Sequence, residues 1–207
     1  MASVSRLNGL RLVGNFSQAG FSASTVQAFH PSTDATVLHV GDIVKIAGDA
    51  RAATGVPTVT RITNGSTDVP FGVVVGISFE GIGDTANVPP VTDLNTPVYV
   101  RASTDRYVMV CVDPNAVYEA QLLATSVAAA TITANVGLNA PADITAGSTT
   151  SGSSGMSIGT PATTATLPLK IIGFPNRPDN IPGDVYFAYH VKLNSAVLGQ
   201  GTGTLGS

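Results

Sequence analysis

Charge is what this chain has least of. Asp, Glu, Lys and Arg make up 11% of its 207 residues, against about 25% in an average globular protein. A chain so poor in charge either exposes neutral polar surface or hides much of its surface in an assembly. Cysteine occurs once, which excludes an internal disulfide framework and any multi-cysteine metal site. Tryptophan is absent and aromatics reach only 6%. That counts against a carbohydrate-binding module, which stacks exposed aromatics on sugar rings. No apolar run is long enough to span a bilayer, so no membrane partner is expected. The opening MASVSRLNGLRLVGNF lacks the apolar core of a secretory signal, and synthesis in a cytosol without secretion is the expectation. The net charge is −3 and the ten basic residues are scattered, so there is no electrostatic footprint for nucleic acid.

What the chain does have is short β-type segments punctuated by turn residues. Residues 1–33 carry Arg6 and Arg11, no acidic residue and many of Ser, Asn, Gln and Gly. They read as an extended arm that hugs a surface. From Val37 the pattern is β. VLHVGDIVKIA (37–47) is two apolar runs broken at Gly41-Asp42. TVTRIT (58–63) alternates. VPFGVVVGIS (69–78) is dense in β-branched residues, and its glycines predict bulges or close approaches. PVYVRA (97–102) and RYVMVCV (106–112) flank a short polar connection, which predicts a hairpin. LPLKIIGF (167–174) and VYFAYHVKL (185–193) are further strands. In the last, Val185, Phe187, Tyr189, Val191 and Leu193 share one face while Tyr186, Ala188, His190 and Lys192 share the other.

Between these lies a tract, residues 120–169, whose only charged side chain is Asp143. A helical turn is expected around 120–130, where Ala and Leu are frequent. GSTTSGSSG (147–155) reads as a flexible loop. The ending NSAVLGQGTGTLGS has no charged side chain and reads as a flexible tail. The whole predicts an all-β protein with a compact barrel or sandwich body. Its divisions are an arm at 1–33, a body at 34–194 with a flexible loop near 141–160, and a tail at 195–207.

The chemistry-bearing residues read as structural. Cys111 sits mid-strand, with Tyr107 and Met109 on its own face and Val108, Val110 and Val112 on the other. A thiol buried in such surroundings is inert. Asp113 and Glu119 are spaced as a conceivable acid–base pair, but Asp113-Pro114-Asn115 is turn chemistry. His30, His39 and His190 are not spaced for a metal. No G-x-S-x-G elbow is present, GSSG at 152–155 being one residue short of it. GTGTLG (201–206) matches a dinucleotide fingerprint by letters alone, since no helix follows it in this sequence. No cofactor is indicated.

A series of segments, in order, resembles a family of tailed-bacteriophage capsid decoration (cement) proteins. These are NGLRLVG (8–14), VGDIVKI (40–46), FGVVVGIS (71–78), VCVDPNAVYEAQ (110–121), VGLNA (136–140), LPLKIIGFPNRPDN (167–180) and VYFAYHVKLN (185–194). The chain departs from that pattern in the Ala/Thr-rich tract 122–135 and in the added tail from 195. The resemblance implies a non-enzymatic virion protein, made in the host cytoplasm and carried on the exterior of the capsid. Such a protein would bind the major capsid protein, usually as a homotrimer, and cement neighbouring subunits of the DNA-filled head. It makes Arg6, Leu10, Arg11, Leu12 and Phe16 the candidate capsid-contacting residues, and residues 103–121 a hairpin and turn in the body core. The competing readings are another virion component, such as a head fibre base or tail protein, and a carbohydrate-binding β-sandwich module.

Overall fold

A computed structural model of the protein describes residues 5, 7–16, 23–65, 67–77, 98–122, 127–194 and 196–197. In chain order the first strands are β1 (Arg11–Asn15), β2 (Thr25–His30), β3 (Ile43–Ala50), β4 (Pro57–Arg61) and β5 (Gly72–Ile77). Next come β6 (Arg106–Cys111) and β7 (Ala116–Gln121), then a short helix α1 (Ala129–Ala134). The rest are β8 (Asn139–Ala140), β9 (Ala142–Thr145), β10 (Gly155–Ile158), β11 (Leu169–Gly173) and β12 (Ala188–Leu193). Strands β2-β4-β3-β5-β6 close into a barrel, β1-β7-β12-β11-β8 form an open sheet, and β9-β10 make a small ribbon. The protein is therefore mostly β, with a five-stranded barrel.

The barrel is filled by the residue types that pack on a pleated surface. Val44, Val59, Val74, Val108, Val110 and Phe71 are buried together in its interior. The opposite side of β5 and β6 is also covered. Val73 and Cys111 face each other in register and join Tyr118, Tyr189, Val191, Leu169 and Ile171 in the larger core between barrel and sheet. Strand β6 is thus buried on both sides, as its two apolar faces predict. Gly72 meets the expectation of close approach, because a Cβ there would run into the Cys111 carbonyl and the Val110 side chain. The expected bulge lies between Val74 and Gly76.

Four expectations change. Residues 25–30, read as part of the arm, form β2, which pairs antiparallel with β6 along its length and meets β4 at Phe29↔Thr58. The polar residues around β2 hide a strand whose burial comes from distant partners. Residues 97–102 and 106–112 are not a hairpin: Val100 bridges to Leu38, while β6 takes β2 and β5 as its neighbours. Residues 103–121 are not a hairpin either. The Asp113-Pro114-Asn115 corner moves the chain from the barrel to the open sheet, where β7 pairs β1 and β12. Finally, the segment near 141–160, read as a flexible loop, carries the β9–β10 ribbon at its two ends, with Ser154, Met156, Ser157 and Ile158 buried. Small side chains let it lie close against the barrel. Gly147 packs on His39, where a Cβ would sit 2.5 Å from the imidazole.

The expected helical turn is α1, displaced toward 129–134 because β7 continues to Gln121. β12 begins at Ala188, after Tyr186 takes a left-handed φ of 61°. Of the tail, residues 196 and 197 are described. Ala196 is buried, and Val197 donates its N–H to the Pro70 carbonyl at 3.0 Å. The other residues of the 195–207 tail lie outside the described residues.

Candidate functional site

The N-terminal candidate residues divide sharply. Arg6 lies outside the described residues. Leu10 is a core residue, 2% exposed, and its N–H bonds the Gly41 carbonyl at 2.9 Å. It is unavailable to a partner because the strand pairing drives it inward. Leu12 packs against the same core. Arg11 and Phe16 remain outside, with Phe16 65% exposed. Among the described residues β1 is an edge strand, paired within the sheet with β7 alone.

β1 delivers Arg11 to the outer face of the open sheet. Arg11 pairs with Glu119, which pairs with His190. On the same face Lys192 pairs with Lys170, and Lys170 with Asn139. The inward side of these strands is apolar: Tyr118, Ala120, Tyr189, Val191, Leu169 and Ile171 are buried. Alternation along each strand therefore sends the core residues one way and the charges the other. Arg177 reaches over this face and donates from Nη1 to both Glu119 carboxylate oxygens, at 2.9 and 2.8 Å. Its Nε donates to Asp179 at 3.1 Å. Partial burial works against the Arg177 charge, but the Glu119 bonds hold its pKa above the ordinary value. His190 is held below the ordinary histidine value by burial, opposed by Glu119 and reinforced by Arg177.

The residues suspected of chemistry are built into packing. Cys111 is fully buried. The Asn115 N–H donates to Asp113 Oδ1 at 2.8 Å, the expected turn bond, and Asn15 Nδ2 donates to Oδ2 at 2.6 Å. Glu119 serves Arg177. The two carboxylates do not act on a common point.

One constellation was not legible in the sequence. His39, Asp42 and Ser154, all buried, converge where the β9–β10 ribbon meets the barrel. Ser154 Oγ donates to Asp42 Oδ1 at 2.5 Å, the His39 backbone N–H donates to Oδ2 at 2.8 Å, and the Met156 N–H donates to Ser154 Oγ at 2.9 Å. The His39 ring stacks on Tyr99 at 5.4 Å between centroids, and its Nδ1 is 3.8 Å from Asp42. The residue types are those of a hydrolase triad, but the order is wrong. A nucleophilic serine must give its proton to histidine; here it gives its hydrogen bond to the carboxylate. Burial raises the pKa of Asp42 and lowers that of His39, so both groups are biased toward neutral forms. The arrangement is a staple holding the ribbon to the barrel. The only sequence signal for it is the turn HVGD, with His39 and Asp42 three residues apart.

A groove of about 680 Å³ runs beside β1, lined by Leu10, Leu12, Val40, Val74, Val75 and Val98 among others. Among the described residues Arg11 is the one titratable residue lining it. Among the described residues no three or more His, Cys, Asp and Glu are grouped to hold a metal ion, and no helix is long and apolar enough to cross a membrane. Compared with known proteins, the chain matches no family model, no curated protein and no solved structure.

Proposed function

We propose that this chain is a structural virion protein that binds the outer surface of a mature phage capsid and cements neighbouring major capsid protein subunits. One observation carries the reading: the ordered segments that resemble the cement family fall on the framework of both sheets. NGLRLVG includes the start of β1, VGDIVKI of β3, and FGVVVGIS holds β5. VCVDPNAVYEAQ is the corner and β7, VGLNA ends in β8, and the last two segments hold β11 and β12. Support also comes from the groups that would otherwise argue for catalysis. Cys111, Asp113, Glu119 and the His39–Asp42–Ser154 staple are each committed to packing or internal bonds.

The reading includes a homotrimer on the shell. Among the described residues the sheet is bounded by β1 and by the two-residue β8, and β1 is the longer edge. An exposed edge invites pairing with other chains, and a closed cyclic assembly covers it and stops growth. The docking residues at this end are Arg11 and Phe16.

The test is co-sedimentation with expanded, DNA-free phage heads whose major capsid protein comes from the same genome. The protein should pellet with the heads, in copies scaling with the lattice, and a density map should show trimers outside the shell. A protein that stays in the supernatant defeats the reading. A few copies at a single vertex would mark a tail or fibre component, and a hit on a glycan array would mark a carbohydrate module.

A further inference from the structure

We infer that the outer face of the open sheet is a docking surface for an acidic protein partner. Arg11, Lys170 and Lys192 would take its carboxylates, and Phe16 would take an apolar contact at the margin. The inference deepens the shell-binding reading and rests on it for the partner's place in a virion.

Lys170 and Lys192 are directly opposite each other on neighbouring strands, so their side chains share the outer face. Like charges placed opposite one another destabilise a sheet. Other cations of the protein have carboxylate partners, Arg177 on this same face among them. Lys45 meets Asp68 at 3.0 Å, Arg51 meets Asp105 at 3.4 Å, and Arg177 has two carboxylates. Arg11, Lys170 and Lys192 make no ion pair among the described residues. The lysines rest instead on neutral acceptors, Lys170 Nζ on the Gly137 carbonyl at 2.5 Å and Lys192 Nζ on Asn115 Oδ1 at 3.3 Å. In a chain with net charge −3, three unpaired cations on one sheet face are a local inversion of sign. A repulsion met within the fold only by neutral acceptors fits a surface whose counter-charges come from outside.

The same face carries an apolar anchor. Phe16 is 65% exposed, with the Lys192 ammonium 5.5 Å from its ring centroid. An exposed aromatic beside desolvatable cations is the composition of a protein interface. Beside it, the open edge of β1 offers backbone donors and acceptors to an extended partner segment. Duplex nucleic acid fits less well. The face would neutralise only a few phosphates, too few for appreciable backbone affinity, and the net negative chain would oppose approach.

The experiment uses the full chain and two single charge reversals. Lys170→Glu lies on the face, and Arg101→Glu makes the same change of charge at an exposed position outside these strands. Lys170→Glu places opposite charges across β11 and β12, so the fold is not endangered. Binding is measured to poly-L-glutamate, to duplex DNA and to the expanded heads, at low and at physiological ionic strength. The wild type should bind poly-L-glutamate in preference to DNA. Lys170→Glu should weaken that binding about tenfold or more, and Arg101→Glu should change it little. The inference is overturned by no binding to poly-L-glutamate, by preference for DNA, or by equal losses in both variants. The two readings fail separately. Heads that bind wild type and Lys170→Glu equally overturn the docking face and leave the shell function standing. Heads that bind neither, with poly-L-glutamate binding still sensitive to Lys170→Glu, overturn the shell function and leave the face standing.

Discussion

The barrel and the open sheet are built from the same residue types, yet they treat their surfaces differently. β6 in the barrel is covered on both sides, by the barrel interior and by the sheet's inner layer. β12, central in the sheet, is covered on one side only, and its other side carries His190 and Lys192. Around the barrel, Lys45 and Arg51 are neutralised within the fold. On the sheet, Lys192 faces another lysine. The barrel strand is packed on both sides, whereas the sheet couples an apolar inner face to an outer face that carries Arg11, Lys170 and Lys192.

Removing the barrel's first strand should have the largest effect. Deleting residues 1–30 takes away β1 and β2, and β2 closes the barrel between β6 and β4. The truncated chain should fail to fold, giving loss of the cooperative thermal transition and of β circular dichroism. Deleting residues 1–16 takes away β1 and Leu10 but spares the barrel. That chain should remain cooperative with a lowered melting temperature. A folded 31–207 fragment would show that the barrel does not need its first strand.

The staple between barrel and ribbon is the next break. Ser154→Ala removes the donor to Asp42 and the acceptor of the Met156 N–H. Leaving such buried groups unpaired costs about 1–3 kcal/mol, measurable by urea denaturation. The fold should persist, because Met156 and Ile158 still anchor β10 in the core. No change in midpoint would show that the ribbon is held by its apolar contacts alone.

Acid should weaken the fold through the buried His30 and His39. His30 is fully buried, and burial holds its pKa below the ordinary value despite opposition from Asp34 and Asp105. Its Nε2 is 3.4 Å from Asp34 Oδ2. Burial also lowers His39. A group whose folded pKa is depressed binds its proton more readily in the unfolded chain. Stability from these histidines is therefore fully present above about pH 6.5 and is lost as pH falls through their folded values. Melting temperature should fall between neutral pH and mild acid. Replacing the solvent-side His190 by Gln should remove less of that slope than replacing His30 by Gln. A slope that vanishes in His190→Gln would place the titration on the sheet.

The difference between the two regions also explains what was legible in the sequence. Strands buried by local alternation were readable: β6 from two apolar faces, β12 from Phe187, Tyr189, Val191 and Leu193 on one side. The Asp113-Pro114-Asn115 turn was readable as a turn, because its bond is local. That it changes sheets was not, since pairing partners are set by distant segments. β2 was missed for the same reason. The basic face was hidden more completely, because Arg11, Lys170 and Lys192 belong to β1, β11 and β12, distant segments that only the sheet order brings onto one face. Leu10 and Leu12 misled in the opposite direction. Their place in a basic, polar stretch suggested surface, while pairing of β1 with β7 turned both toward the core.

If the sheet face gives up stability to keep Lys170 opposite Lys192, then Lys170→Glu should stabilise the isolated protein. A cross-strand opposite-charge pair in place of a like-charge pair is worth roughly 0.2–1 kcal/mol. The gain should shrink at high salt, because both groups are reached by solvent and exposed pairs are screened. Part of it is offset by loss of the Lys170 bond to the Gly137 carbonyl. Lys170→Gln separates these contributions, since it removes the repulsion without adding attraction. The order of denaturation midpoints at low salt should be Lys170→Glu, then Lys170→Gln, then wild type, with the three converging as salt rises. A wild type more stable than both would mean that the lysine pair already serves the fold, and the contrast between a self-satisfied barrel and an outward-directed sheet would lose its basis.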